Sequence, residues 1–199
     1  MLVTSSKLIG TPILSMQAGG AIGRITEPIV DPNTLKVIAF RTEGPVIHRD
    51  TNILDASSIR EYSGFGIVID SIDELVAPND VIKIAKIIEL NFNLIGLKVE
   101  TKKGSKLGKV LDYTATTDNF TVQQLIVKRP VVKSLLDPEL TIHRKEIVEI
   151  TDYKVIVKDE EKVLKEKAEK EDFVPNFVNP FREKQPGFAP ADIKNQSKD

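Results

Sequence analysis

The sequence predicts a mainly β protein, with two tandem small antiparallel β-barrels, a short helical connector, a charged helix and a disordered tail. Three observations carry this. The chain repeats itself, its apolar pieces are strand-sized and bounded by turn formers, and its composition changes abruptly after Lys158. The divisions expected are residues 1–77 and 93–158 for the barrels, 78–92 for the connector, 159–172 for the helix and 173–199 for the tail.

The repeat is read first, because a missed period misassigns the whole fold. Leu8-Ile9-Gly10 returns as Leu94-Ile95-Gly96 at an offset of 86, and Ile22-Gly23-Arg24-Ile25 as Leu107-Gly108-Lys109-Val110 at 85. Ile38-Ala39-Phe40 answers to Leu125-Ile126-Val127 at 87, and Ile67-Val68-Ile69 to Val155-Ile156-Val157 at 88. A drift of three residues over a whole unit is what small loop insertions produce, since loops tolerate length changes cheaply.

Each unit reads as a meander. Ile22 to Ile25 and Leu107 to Leu111 follow glycine-bearing turns; Leu35 to Phe40 and Val122 to Val127 are rich in β-branched residues and follow Asp31-Pro32-Asn33 and Asp118-Asn119. Spacings of roughly 10–20 residues leave little room for crossover helices. Gly23 and Gly108 fall inside strands, where glycine marks a bulge or a sharp corner. Each unit is expected to close around its own apolar centre.

The connector SIDELVAPNDVIKIAKIIELNF places Val81, Ile84, Ala85 and Ile88 on one helical face after Pro78-Asn79-Asp80. Its isoleucines also suit a strand, so an extra strand is the alternative. In either form its apolar face should be buried, and the space between the barrels is the expected place. Asp73 to Val76 could form one helical turn. Asp159 to Asp172 opens with acids and carries the pairs Glu161–Lys165 and Glu166–Lys170, which suits a solvated helix. The proline-containing tail spaces Phe173, Phe177 and Phe181 four residues apart. Aromatic rings gain nothing in a solvated spacer. They fit a partner-docking segment, or rings folded back on the chain's own barrels.

The order of motifs is LIG, a glycine turn, (I/L)-G-(R/K)-(I/V), an apolar strand, a polar-capped isoleucine (ILDASSIREY; LTIHRKEIVEI) and a final apolar strand. This order resembles the PRC-barrel family, seen in the cytoplasmic part of the photosynthetic reaction-centre H subunit and in the C-terminal half of a ribosome-maturation factor. The resemblance spans about 150 residues as two copies. The first copy departs from it at Gly64-Phe65-Gly66, where the second has Thr151-Asp152-Tyr153. The resemblance implies a non-catalytic adaptor surface in ribosome maturation, RNA metabolism or a membrane-associated complex.

Composition narrows the chemistry. There is no cysteine, so disulfides, thiolate nucleophiles and cysteine-ligated metals are excluded, and a reducing cytoplasm is the expected setting. The start MLVTSSKLIG has no apolar stretch behind a basic one, so no secretory signal is expected, nor an integral membrane segment. His48-Arg49-Asp50 lacks the asparagine and glycine loop of a kinase site. His48 and His143 occupy unmatched positions of the repeat, and no cluster has ligand spacing. Asp70, Asp73 and Glu74 are read as a helix cap, with a cation site as the alternative. No catalytic, cofactor or metal residue is therefore assigned.

Charge is uneven. Residues 1–93 carry a balance of −3, whereas residues 94–158 carry +4. Lys98, Lys102, Lys103, Lys106 and Lys109 crowd the first turn of the second unit against Glu100 alone, where the first unit has only Arg24. The turn is therefore not demanded by the fold. Lys102, Lys103 and Lys106 are candidate contacts to RNA, to the ribosome or to an acidic protein; a solubilising turn is the alternative. Together these readings predict an adaptor whose partner is a protein, docked at the tail or the inter-barrel groove. An RNA- or ribosome-associated factor is the second reading, and a small-ligand carrier or enzyme the weakest.

Overall fold

The structure is a computed structural model and describes residues 1–130 and 138–159. The charged segment beyond Asp159 and the tail with Phe173, Phe177 and Phe181 lie outside the described residues.

The chain is mainly β, folded into two curled sheets. The first is built from β2 (Pro12–Ser15), β3 (Gly20–Asp31), β4 (Lys36–Glu43), β5 (Ile53–Asp55), β6 (Glu61–Ser63), β7 (Gly66–Ile69) and β8 (Leu75–Val76). The second holds β9 (Lys98–Thr101), β10 (Lys106–Thr116), β11 (Val122–Lys128), β12 (Glu139–His143), β13 (Ile147–Ile150) and β14 (Lys154–Val157), together with the N-terminal β1 (Leu2–Thr4). The orders β6-β7-β2-β3-β4-β5 and β13-β14-β9-β10-β11-β12 are the same path walked twice. The meander is antiparallel as expected, but each sheet also contains one parallel pairing, β2 with β7 and β9 with β14. This pairing brings the last strand of each unit back beside its first. One of the sheets is a half-barrel.

The repeat extends to backbone detail. Gly10 and Gly96 both have positive φ, at 84° and 89°. A Cβ on Gly23 would sit 2.4 Å from the Glu43 carbonyl oxygen, and one on Gly108 would sit 2.0 Å from that of Lys128. Register shifts fall beside both glycines, so these positions are the bulged corners where each long strand bends.

The two units meet about a pseudo-two-fold axis. Lys36 and Thr121, equivalent positions 85 residues apart, form an antiparallel bridge with each other. Val37 N–H donates to the Phe120 carbonyl at 2.9 Å, and Val122 N–H donates to that of Leu35 at 2.9 Å. Leu35 and Phe120 both take a left-handed backbone, φ 49° and 52°. The junction's own hydrogen bonds hold them in this uncommon conformation. The Phe120 ring packs edge-on against Phe40 (5.2 Å between centroids) and against Tyr62 (6.3 Å). The Arg144 guanidinium donates to the carbonyls of Leu35, Val122 and Thr34 and so ties both units together.

The interior is consequently one apolar cluster. Ile13, Ile25, Phe40 and Ile67 of the first unit are continuous with Val99, Leu125 and Val155 of the second, in place of two separate centres. The segments preceding each unit also cross over. β1 pairs with β10 of the second unit, Val3 opposite Ala115. The short helix α1 (Ser5–Leu8) follows, and its first turn is held by Asp112, which accepts from the hydroxyls of Ser5 and Ser6 and from Ser5 N–H.

The connector is a helix, α2 (Ile82–Glu89), starting two residues beyond Asp80. It does not lie between the units. Ile84 and Ile87 pack on Ile29, Ile38, Ala39 and Ile53, on the outer face of the first sheet. The reason lies in the sequence of that face. The strand pairings set the two units 85 residues apart here, not the 87 expected from the apolar triplets, so the counterpart of Leu125 is Phe40 and not Ile38. Ile29, Ile38 and Ala39 therefore correspond to Thr114, Gln123 and Gln124 in the second unit, and only the first sheet has an outer apolar face to cover. Residues Ile72–Glu74 form the short turn expected near Asp73, a 3-10 turn capped by the Ser71 hydroxyl. Among the described residues no helix is long and apolar enough to cross a membrane.

Candidate anion-binding face

The lysines singled out by the sequence fall into two groups. Lys102 and Lys103 sit in the tight turn joining β9 to β10, shaped by Gly104 at φ 83°. Their backbone N–H groups donate to the Val157 carbonyl and to the Asp159 carboxylate respectively. Lys106 is already on β10, opposite Glu100.

From Lys106 a groove of about 450 Å³ runs across three strands, lined by Lys98, Glu100, Lys106, Lys109, Lys128 and Arg129. Val99 and Gly108 form part of its floor. The register explains the arrangement. Lys109 on β10 lies directly across from Lys98 on β9 and from Lys128 on β11. Directly paired residues project to the same face, on strands roughly 4.8 Å apart. The bulge at Gly108 brings Lys106 onto this face as well, although an unbroken strand would turn residues three apart to opposite sides. All four lysines are exposed.

Like charges placed directly opposite destabilise a sheet. The first unit avoids this. Its equivalents of Lys98, Lys109 and Lys128 are Pro12, Arg24 and Glu43, and Arg24 forms an ion pair with Glu43 at 2.6 Å. In the second unit Glu100 is engaged by Lys154 at 3.4 Å. Among the described residues no ion pair neutralises Lys98, Lys106, Lys109, Lys128 or Arg129. The same fold thus presents a neutralised surface in one copy and a row of unneutralised cations in the other.

Lys128 and Arg129 escaped the sequence reading. They lie about twenty residues beyond the crowded turn, and only the β10–β11 register brings them to it. Carrying the repeat one strand further would have found them, since Lys128 stands where the first unit has Glu43.

The acidic residues after β7 make local contacts. Asp70 pairs with Arg60, Asp70 N–H donates to Glu74, and Asp73 accepts from the Ser71 hydroxyl. His143 on β12 faces Gln124 at 3.5 Å, and His48 lies in the loop after β4. Among the described residues no three His, Asp or Glu side chains stand together as a metal site would require. Near the unit junction a second groove of about 420 Å³ mixes Lys36 and Lys83 with Asp55 and Asp118, so it selects no sign of charge.

Burial, and then the neighbouring Asp112 charge, raise the Tyr113 phenol well above its ordinary value. Burial opposes ionisation of the Asp112 carboxyl, but its hydrogen bonds, led by those from Ser5 and Ser6, outweigh that and hold it below the usual carboxylate range.

Compared with known protein families and with curated proteins, the chain matches none.

Proposed function

We propose that this chain is a non-catalytic docking protein, in which tandem PRC-barrel-like units form a rigid scaffold and the cationic face of the second unit holds an anionic partner. The observation that supports the reading is the row Lys98–Lys109–Lys128. Three like charges on adjacent strands work against the sheet that carries them. The fold does not require them, because the equivalent positions of the first unit hold a proline and an ion pair. A charge arrangement that opposes stability and that the fold does not need is best accounted for by something bound. The lack of cysteine fits the cytoplasmic setting that belongs to this reading.

The test is retention on a heparin matrix. The wild type should elute at higher salt than a Lys98→Gln/Lys109→Gln/Lys128→Gln variant, whereas Arg24→Gln should elute with the wild type. A triple variant retained as strongly as the wild type would refute the reading.

A further inference from the structure

We infer that the lysine turn at the mouth of this face is covered by the chain's own acidic run, Asp159-Glu160-Glu161, which an anionic partner must displace. This rests on the docking reading above and adds a competitor built into the same chain. Three observations favour that occupant.

The first is where the described chain leads. β14 lies beside β9, with Val157 opposite Thr101. Its alternation buries Val155 and Val157 and leaves Lys154 on the groove face, where it engages Glu100. Lys102 N–H donates to the Val157 carbonyl at 3.0 Å, and Lys103 N–H donates to the Asp159 carboxylate at 3.2 Å. The first acid of the run is therefore already seated on the turn.

The second is the path taken in the first unit. There the segment after the last strand comes back to the equivalent turn. Met16 N–H donates to the Ile69 carbonyl and Gln17 N–H to that of Asp70, and the Ser71 hydroxyl donates to Gln17 Oε1 at 2.9 Å. Met16 and Gln17 are the counterparts of Lys102 and Lys103 at an offset of 86, and Ser71 is that of Asp159 at 88. The repeat thus supplies a route by which the chain leaving β14 meets the β9–β10 turn.

The third is charge. In the first unit, uncharged Met16 and Gln17 face a segment reading Ser71-Ile72-Asp73. In the second, Lys102 and Lys103, with exposed Lys106 just beyond them, face Asp159-Glu160-Glu161. Opposite signs appear on both sides of the contact in this copy alone. An extended chain covers at most roughly 3.3–3.6 Å per residue. Glu161, two residues past Asp159, is therefore held within about 7 Å of chain from the turn. Exposed ion pairs are individually weak, but a tether makes their formation intramolecular, with an effective concentration on the order of millimolar. A partner that also engages Lys98, Lys109 and Lys128 makes more contacts than the run does and displaces it.

The experiment is a fluorescence-anisotropy titration of a labelled heparin oligosaccharide with the full chain at about 100 mM salt, where exposed charges more than roughly 10 Å apart are largely screened. Asp159→Asn/Glu160→Gln/Glu161→Gln should tighten binding about threefold or more, the sum of three exposed pairs at the weak end of their range. Glu169→Gln/Glu171→Gln/Asp172→Asn removes the same three charges farther along the chain and should leave binding close to that of the wild type. In a Lys102→Gln/Lys103→Gln/Lys106→Gln background the first substitution should lose its effect, as a double-mutant cycle requires of groups in contact. Thermal melts show that each variant folds. No tightening, equal tightening by both acidic variants, or tightening that persists without the three lysines would overturn this inference and leave the docking reading standing. Failure of the wild type and of the first variant alike to bind the oligosaccharide would overturn both.

Discussion

Lys36 and Thr121 hold the same place in two successive repeats, 85 residues apart, and they are hydrogen-bond-ladder neighbours of each other. Each copy therefore uses one and the same surface to meet the other, as the subunits of a two-fold dimer do. The covalent connection has turned a dimer-like contact into an internal one. Its central ring is Phe120, 3% exposed and edge-on to Phe40.

Phe120→Ala should lower stability by about 3 to 5 kcal/mol, the range for removing a buried phenylalanine. Urea unfolding followed by circular dichroism checks this. Because the apolar interior is continuous, both units should be lost in a single transition. Two separated transitions in the wild type would contradict the shared interior.

The bulged corners give a graded pair of variants. Gly108→Ala places a Cβ against the Lys128 carbonyl at 2.0 Å, at φ 151°. Gly104→Ala meets open space but keeps φ 83°. The second should cost about 1 kcal/mol from backbone strain alone. The first should cost clearly more, because β11 must also move. Thermal denaturation of the two variants side by side measures the difference.

Replacing Lys109 by Glu recreates on the second sheet the arrangement that Arg24 and Glu43 make on the first. A like-charge ladder becomes an alternating one. Stability should rise by roughly a few tenths of a kcal/mol, since the groups are exposed and screened. Retention on heparin should fall at the same time. A variant that gains stability while losing polyanion binding is the expected outcome when a surface is held by function against its own energetics.

The two ends of the pH scale converge on neighbouring residues. The folded Asp112 carboxyl lies below its unfolded value of 3.8, so its contribution is present above that pH and is lost as pH falls through the folded value. Asp112→Asn should flatten the acid limb of a stability–pH curve. The Tyr113 phenol is raised above its unfolded value of 10.0, so its contribution is present below pH 10 and disappears as pH rises. Tyr113→Phe should flatten the alkaline limb. Denaturant midpoints measured across pH for the two variants separate the effects.

Ile84 carries the packing of α2 and is 2% exposed. Ile84→Ala should destabilise by about 2 to 4 kcal/mol. Amide exchange should rise chiefly in α2 and along the outer face of β3 and β4.

The repetition of the strands could be read from the sequence because the apolar triplets recur at nearly constant spacing, although the triplet at Ile38 was matched two residues out of register. The placement of α2 could be read only by comparing the copies, with Ile29 and Ile38 set against Thr114 and Gln123. The parallel pairings and the crossing of β1 were beyond periodicity, which records faces but not neighbours. For the candidate face, the turn lysines were visible as a local run. Lys128 and Arg129 were not, because the contact that joins them to the run is a register between strands.

β1 is made first and its partner late, since Leu2 waits for Thr116. At roughly 5–20 residues per second on the ribosome, that interval is about 6 to 23 seconds. For that time the leading segment has no place to dock, and the long loop it must close belongs to the slow end of folding topologies. Completion of the protein is thereby tied to synthesis of its second half.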